Sequence, residues 1–542
     1  MTIWRQDPIT LSVVQRSLEN ICAEMGIILR HTSYSPNIKE RRDFSCGLFD
    51  QQARLIASKD GIPVHLGSMD LSVQSGLENF RENLVKGDIL IHNSPFLGGT
   101  HLPDITMYAP VFDSETTAFT GPVFYVGTRA HHSDVGGRVP GSMPGHSDSI
   151  FDEGIIIPPV KLWEGGELNT STLELILANV RTPKERKGDL RAQRAALETG
   201  IRRLHELFAS FPPMVLNEYL GELAHRAEVA MAKQLELFPL GKTFTAEDYL
   251  EGIVNGSDAV IKTTVIRKSH DKVTVDFSGS SPMIRENANA TKAITRSCVF
   301  YVFRYLLSGL GEVPTNYGLW RPIELILPEG SIVNARFPYA TSSGNVETSQ
   351  RIVDVLFLAI SPLREFLVPA ASQGTMNNIL IGSEDSLPFS YYETIGGGSG
   401  GSESGAGISG IHTHMTNTWN TPVEAVETSY PLRIHTYQFR DNSGGRGKHS
   451  GGDGIIREYE ILCDTAIVSL QTERRKHAPY GLFGGGPGAT GINELITAAG
   501  TNILAGRTTL HCKLGDRIRI QTPGGGGYGL YEPADDESSS KS

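Results

Sequence analysis

Two short segments gather the side chains most able to do chemistry. In His92-Asn-Ser-Pro-Phe-Leu-Gly-Gly-Thr-His-Leu-Pro-Asp104, His101 and Asp104 stand three residues apart, just ahead of the strand-like run Ile105 to Phe112. A turn at Pro103 would aim an imidazole and a carboxylate at one centre. In Arg129-Ala-His-His-Ser-Asp-Val-Gly-Gly137, the apolar run Val123 to Val126 leads to His131, His132 and Asp134 at a second strand end. Gly136 and Gly137 permit a sharp bend there. Two strand ends rich in His and Asp predict a divalent-metal site, and a His/carboxylate set suits Zn, Mn or Fe. No compact signature such as HExxH is present. For any one of these histidines a hydrogen-bonded buried ring is the plainer reading, and it is the gathering of several that favours a metal.

The elements that must position these groups are legible around them. Asp7-Pro8 opens a helix to about Arg30, with apolar residues at Ile9, Leu11, Val14, Leu18, Ile21, Cys22 and Met25. Ser35 to Asp50 passes from loop to strand, with Arg41, Arg42 and Asp43 at its entrance, and Gln51 to Ser58 reads as a hairpin return. A helix follows from about Asp70 to Leu84. The Gly/Pro-rich stretch Gly141 to Pro159 is expected to close over the strand ends that carry the histidines. Thr182 to about Lys233 is helical, interrupted at Phe211-Pro-Pro213. Its Lys184, Arg186, Lys187, Arg191, Arg194, Arg202 and Arg203 read as a solvated face.

Beyond Gly241 the alternation through Val260 to Val265 and Val273 to Phe277 predicts antiparallel strands turning at Ser269 to Lys272. A helix from about Lys292 to Leu310 follows, and then an amphipathic helix through Gly344 to Phe357, whose polar first turn could cap itself or hold an anion. The glycine run after Glu393 lacks the Lys-Ser/Thr ending of a P-loop. A second cluster, His412 and His414 with Asn417, Asn420, Glu424 and Glu427, would place both imidazoles on one face of a strand, as a lower-ranked site. Pro431 to Tyr528 alternates strands with glycine turns. The fold class expected is α+β: a large, multi-domain mixed α/β chain with a β-rich, glycine-rich C-terminal region. Its parts are 1–240, a mixed α/β region with the metal site; 241–530, a second α/β region whose C-terminal part is β-rich; and 531–542, a polar disordered tail.

Composition limits the function. With 542 residues, 39% hydrophobic and 20% charged, the chain can bury several cores. A net charge of -11 without any basic stripe argues against nucleic acid. No run of some 18 apolar residues could cross a bilayer, and the start lacks a signal-peptide core, so a cytoplasmic location is expected. The five cysteines form no CxxC pair and are expected to be reduced and mostly buried. Cys46 is close to the candidate site but has no neighbouring base, and it reads as filler in a strand. The 59 glycines fall in clusters without a fixed period, which implies tight turns and close backbone approach.

Several of these motifs together resemble the hydantoinase B/oxoprolinase family: Glu40-Arg-Arg-Asp-Phe-Ser45, His65-Leu-Gly-Ser-Met69, Asn93 to Asp104, His131 to Gly137, Gly344-Asn-Val-Glu-Thr-Ser-Gln350 and Thr522-Pro-Gly-Gly-Gly-Gly-Tyr528. The likeness runs from about Asp7 to Gly529. It implies the B subunit of an ATP-dependent hydrolase of cyclic amides, of the hydantoin, N-methylhydantoin or 5-oxoproline type, working with a hydantoinase A-like partner that carries the ATP site. It also implies a metal held by His101, Asp104 and His131, with Asp43 as a further ligand and His132 ranked below His131. Within that picture Asp134 is a candidate base or orienter of an imidazole, Asp43 a ligand or water-orienting carboxylate, and Arg41 or Arg42 a partner for a phosphorylated intermediate. For each arginine a loop-holding salt bridge is the equal alternative. Two rival functions share the scaffold: a subunit of an ATP-dependent ketone carboxylase, and a non-catalytic subunit lending surface to its partner.

Overall fold

The fold is taken from a computed structural model, which describes residues 7–59, 61–113, 121–254, 256–383 and 388–532. The expected tail lies, from residue 533 onward, outside the described residues.

The N-terminal third is built on one antiparallel sheet. Its strands are β1 (Phe44–Asp50), β2 (Leu55–Lys59), β3 (Ile89–His92), β4 (Asp104–Val111), β5 (Phe124–His131), β6 (Val160–Glu164) and β7 (Glu167–Leu168), in the order β2-β1-β5-β4-β3-β6-β7. β1, β4 and β5 are buried along their whole length because both faces of the sheet are covered. Helices Pro8–Thr32 and Pro183–Ser210 pack on one face, and helix Met69–Leu77 covers part of the other. Asp7 caps the first helix by accepting from the Ile9 and Thr10 amides. That helix buries Leu11, Val14, Leu18, Ile21, Cys22, Met25 and Leu29, the stripe that the apolar spacing predicts except for Ile9, which is exposed in the first turn.

A second sheet, Thr243–Val254, Ser257–Arg267, Val273–Asp276 and Ile323–Ile326, packs under helices Lys292–Tyr305 and Ser349–Ile360. Its core also takes Ile62, Val64 and Met143, so close packing crosses residue 240. The C-terminal region is β-rich. Phe389–Thr394, Asn378–Ser383, Thr465–Gln471 and Arg507–Lys513 form one sheet. It faces a second, made of Leu432–Arg440, Gly454–Ile461, Arg517–Gln521, Ile492–Thr497 and Gly500–Leu504.

The glycine clusters meet in one layer beside these sheets, where strands of backbone lie against each other without side chains. Gly525 donates to Gly452 O at 2.9 Å and accepts from Gly445 N at 2.8 Å, and Gly527 donates to Gly486 O at 2.8 Å. A Cβ on Gly398 would fall 1.8 Å from Gly452 O, and one on Gly525 1.9 Å from Ser399 O. Glycine is required here by proximity, as the clusters imply. The run after Glu393 belongs to this layer: the Gly397 and Gly398 amides are spent on Ile411 O and Pro523 O, so it forms no phosphate cradle.

Three local expectations need correction. The helix after Gly344 begins as a π-helical turn and is buried all round, not amphipathic. Its charged Arg351 and Asp354 are tolerated because Asp248 and Arg474 complete a buried network, with Arg474 Nη2 at 2.7 Å from Asp248 and 2.6 Å from Asp354. The amides just before that helix do hold an anion, but an internal one: the Glu153 carboxylate accepts from Thr341 N and Ser342 N. Arg186 is not on a solvated face; it is buried against Glu185 and Asp189. Among the described residues no helix is long and apolar enough to cross a membrane.

Candidate metal centre

Strand register brings the candidate ligands together. Asp104 opens β4 and His131 closes β5, and the two are direct partners across the antiparallel pair. Asp43 immediately precedes β1, on the other side of β5, and its carbonyl accepts from the His131 amide at 3.0 Å. His101 is held in the tight turn entering β4, where the Asp104 amide donates to His101 O. Asp43, His101, Asp104 and His131, from three separate stretches of the chain, thus share one end of one sheet.

Three ligand atoms converge. His101 Nε2 lies 3.3 Å from Asp104 Oδ1, His131 Nδ1 lies 3.2 Å from the same oxygen, and the two imidazole nitrogens are 3.1 Å apart. Ligand atoms about 2.0–2.2 Å from a common cation are roughly 3.0–3.5 Å from one another, so the donor set fits such an ion. Among the described residues this is the one group of three His, Cys, Asp or Glu with ligand atoms mutually within 4.8 Å. All three side chains are buried. Burial opposes ionisation of Asp104, but His101 and His65 outweigh it and hold its carboxyl well below the usual range. Burial also lowers the pKa of His131, which favours the neutral ring a metal needs.

The second oxygen of Asp104 is fixed by residues that the spacing of the sequence does not single out. Thr100 Oγ1 donates to Oδ2, and His65 Nε2 lies 3.3 Å from it. His65 is itself anchored through Nδ1, 2.9 Å from Ser45 Oγ. The opposite wall comes from the C-terminal region, where the Tyr392 ring stacks on His131. Asp104, His131, His65 and Tyr392, with Asp43, Met376, Thr394 and Met415, help line a cavity of about 20 Å³, room for one water-sized guest. The Gly141–Pro159 stretch is not among its lining residues.

The other expected site residues lie as follows. Asp43 lines the cavity, outside the three-ligand group. Arg41 is fully buried behind it: its Nε is 3.1 Å from Glu393, its Nη2 donates to Thr394 Oγ1 at 2.7 Å, and its Nη2 is 3.9 Å from Asp43. Arg42 lies over the Trp419 ring. Asp134 is directed elsewhere: its carboxylate accepts from the Gly136, Gly141 and Arg181 amides and pairs with the Arg181 guanidinium, fixing the loop beyond β5. His132 is bound to Gln193 at 3.0 Å, apart from the cavity. His412 and His414 do not share a strand face, because their segment has no regular secondary structure. His414 packs against Tyr301 and Phe357, and burial lowers its pKa to about 4. Cys46 is core filler in β1, its thiol pushed up to about 12 by burial.

Comparison with known proteins agrees with this architecture. The chain is 40% identical over 527 residues to an uncharacterized protein of Methanocaldococcus jannaschii, covering 96% of this chain and 91% of that one. It is 39% identical over 549 residues to 5-oxoprolinase 1 of Arabidopsis thaliana, again over 96% of this chain, but it spans only 42% of that relative's length. Among solved structures, ATP-dependent caprolactamase from Pseudomonas jessenii superposes with a TM-score of 0.87 at 28% identity, covering 97% of this chain and 91% of the other. Acetone carboxylase shares the fold, with a TM-score of 0.87 at 18% identity over 97% of this chain and 76% of that one. The family model described as hydantoinase B/oxoprolinase matches residues 7–531, and the chain therefore belongs to the hydantoinase B/oxoprolinase family.

Proposed function

We propose that the chain is the metal-bearing subunit of an ATP-dependent hydrolase of cyclic amides, with His101, Asp104 and His131 as ligands of a divalent cation. The observation that carries this reading is the convergence of those three buried ligand atoms, with Asp104 and His131 on the wall of a small cavity. When bound, the cation would supply a Lewis acid for a carbonyl oxygen or for water. Asp43, on the cavity wall, adds a ligand or takes a proton from water. His65 and Thr100 keep Asp104 Oδ1 turned inward. Arg41 holds Glu393 and Thr394 in place and so shapes the opposite wall.

An unactivated lactam resists water because its carbonyl is resonance-stabilised and its nitrogen leaves poorly. Phosphorylation of the amide oxygen makes the carbon electrophilic. Water then adds, the C–N bond breaks as nitrogen gains a proton and an acyl phosphate is left, and a second water splits that acyl phosphate into carboxylate and phosphate. The ATP chemistry is assigned to a hydantoinase A-like partner. This chain spans 42% of the length of 5-oxoprolinase 1, so most of such an enzyme lies outside the part matched here.

The test measures bound metal and ATP turnover in the assembled complex for wild type, His101→Ala and Asp104→Ala. Turnover with hydantoin or 5-oxoproline and no bicarbonate is expected, and both variants should lose metal and activity. Undiminished turnover in assembled variants would leave only a scaffold role. Turnover that needs bicarbonate and a ketone would make the enzyme a carboxylase.

A further inference from the structure

A cleft of about 470 Å³ lies across the short helix Pro63–Leu66 from the metal cavity. Val64 and His65 line the cavity, while Pro63 and Leu66 line the cleft. Tyr301 is a second partition. It lines the cleft, and its hydroxyl is 3.5 Å from Nδ1 of His414, the neighbour of the cavity residue Met415. One layer of side chains separates the two spaces.

Among the described residues the cleft carries three cations, Arg16, Lys59 and Arg304, against two carboxylates, Glu19 and Glu312, in a chain whose net charge is -11. Both carboxylates are engaged. Arg16 pairs with Glu312 and lies 3.5 Å from Glu19, and Lys59 Nζ lies 3.8 Å from Glu19. Arg304 is the cation left over. Its Nε donates to Thr315 Oγ1 at 3.2 Å, and among the described residues no carboxylate lies within 4.0 Å of its guanidinium. It is half-buried, and burial pushes its pKa down, opposed only by the charge of Glu19, which lies beyond ion-pair distance.

We propose that this cleft is a subsite for a compact oxyanion, the carboxylate or phosphate of a small molecule, gripped by Arg304 with Lys59 at its rim. A guanidinium fork matches both anions in a bidentate manner, and the volume is that of a small-ligand site. The proposal rests on the cyclic-amide reading only for what carries the anion. Opening a lactam creates a carboxylate, and activating it requires a phosphate, so either would arise next door to the cleft.

The experiment titrates the full chain calorimetrically with inorganic phosphate and, separately, with glutarate, at constant ionic strength. At least one anion should bind, and Arg304→Gln should weaken it about tenfold or more. Arg304→Lys, which keeps the charge but not the fork, should fall between, and Lys59→Gln should lose less than Arg304→Gln. Binding of phosphate alone or of glutarate alone supports the subsite and identifies the source. Equal affinity in wild type and Arg304→Gln, or no heat with either anion, overturns it. His101→Ala separates this proposal from the metal reading. Metal lost with anion binding intact supports the subsite. Anion binding lost there but kept in Arg304→Gln overturns it, because the anion would then belong to the metal cavity. Metal retained in His101→Ala defeats the metal reading alone.

Discussion

The Tyr392 ring lies flat on the His131 ring, with centroids 4.5 Å apart and planes 17° from parallel. A ligand on the N-terminal sheet is therefore braced by a strand of the C-terminal region. The brace is itself fixed, since Tyr392 donates to Asn378 Oδ1 at 2.9 Å and the Arg41 guanidinium lies 4.6 Å from the Tyr392 ring centroid. Tyr392→Phe keeps the stack and should hold metal within about threefold of wild type. Tyr392→Ala removes the stack, worth roughly 0.5–1.5 kcal/mol beyond area, and leaves a void, so metal affinity should fall about tenfold. A competition titration with a chromogenic chelator distinguishes the two; equal losses would assign the effect to the hydroxyl.

Stability of the metal-free chain should peak near pH 6.5. Burial, with Arg129, lowers His92 to about 3; burial, with Arg186, lowers His132 to about 4; burial lowers His414 to about 4. Each titrates near 6.5 when unfolded, so its contribution is complete above that pH and is lost as pH falls, at roughly 1.4 kcal/mol per unit. Glu347 has the opposite sign. Burial pushes it up to about 8, so its contribution is complete below its unfolded value and is lost as pH rises towards 8. His412, which burial also lowers to about 3, joins these histidines, and Glu473, which burial raises to about 7, joins Glu347; four against two leave a net loss of roughly 3 kcal/mol per unit on acidification below pH 6, and a shallower loss above 7. Urea midpoints from pH 5 to 8.5 measure both limbs. Glu347→Gln retains an acceptor for Met376 N and Asn378 Nδ2 and should flatten the alkaline limb. An unchanged limb would count against an uncharged Glu347.

The candidate metal site is legible in sequence because its proposed ligands cluster in two short stretches at strand ends, whereas only the family resemblance ranks His131 above His132. The residues that hold the site were not legible in this way. His65, Thr100 and Tyr392 act through contacts that only the sheet register and the packing of distant regions create, and no spacing in the chain encodes the stack of Tyr392 on His131. The second cluster misled for a related reason: two histidines two apart share a face only on a strand, and their segment is irregular. Helix Ser349–Ile360 read as amphipathic because Arg351 and Asp354 suggest water, whereas Arg474 and Asp248, far away in sequence, supply their partners.

Two glycine substitutions should differ in sign. Gly525 has backbone on both sides within the glycine layer, and an added methyl would meet Ser399 O at 1.9 Å. Neither neighbour can give way without breaking paired amides, so Gly525→Ala should destabilise by about 3 kcal/mol. Gly221 lies inside helix Pro213–Leu235, where an added methyl would have nothing within 4 Å, and Gly221→Ala should stabilise by about 0.5–1 kcal/mol. Thermal unfolding of the two variants measures the contrast. A tolerated Gly525→Ala would show that the layer can open.

The candidate metal cavity has a cover drawn from the C-terminal region. Residues 411–421 carry Met415, Thr416 and Thr418 into its wall without forming a helix or strand. A cavity of about 20 Å³ admits an ion and has no room for a lactam ring, so this cover must shift before a substrate can reach the ligands. Its outer clasp is Trp419, whose ring lies 3.5 Å under the Arg42 guanidinium and whose amide donates to Arg41 O at 2.9 Å. Trp419→Ala removes the cation–π contact, worth about 0.5–1 kcal/mol on a partly exposed ring, and keeps the backbone bond. Metal should then pass to excess chelator about two- to fivefold faster, amides of 411–421 should exchange sooner, and the Tm should hardly move, because the ring contributes little to any core. Unchanged stripping and exchange rates would mean that the cover is held by its inward-facing threonines, and the clasp would then have to be sought at Thr418, whose hydroxyl lies 2.9 Å from that of Thr394.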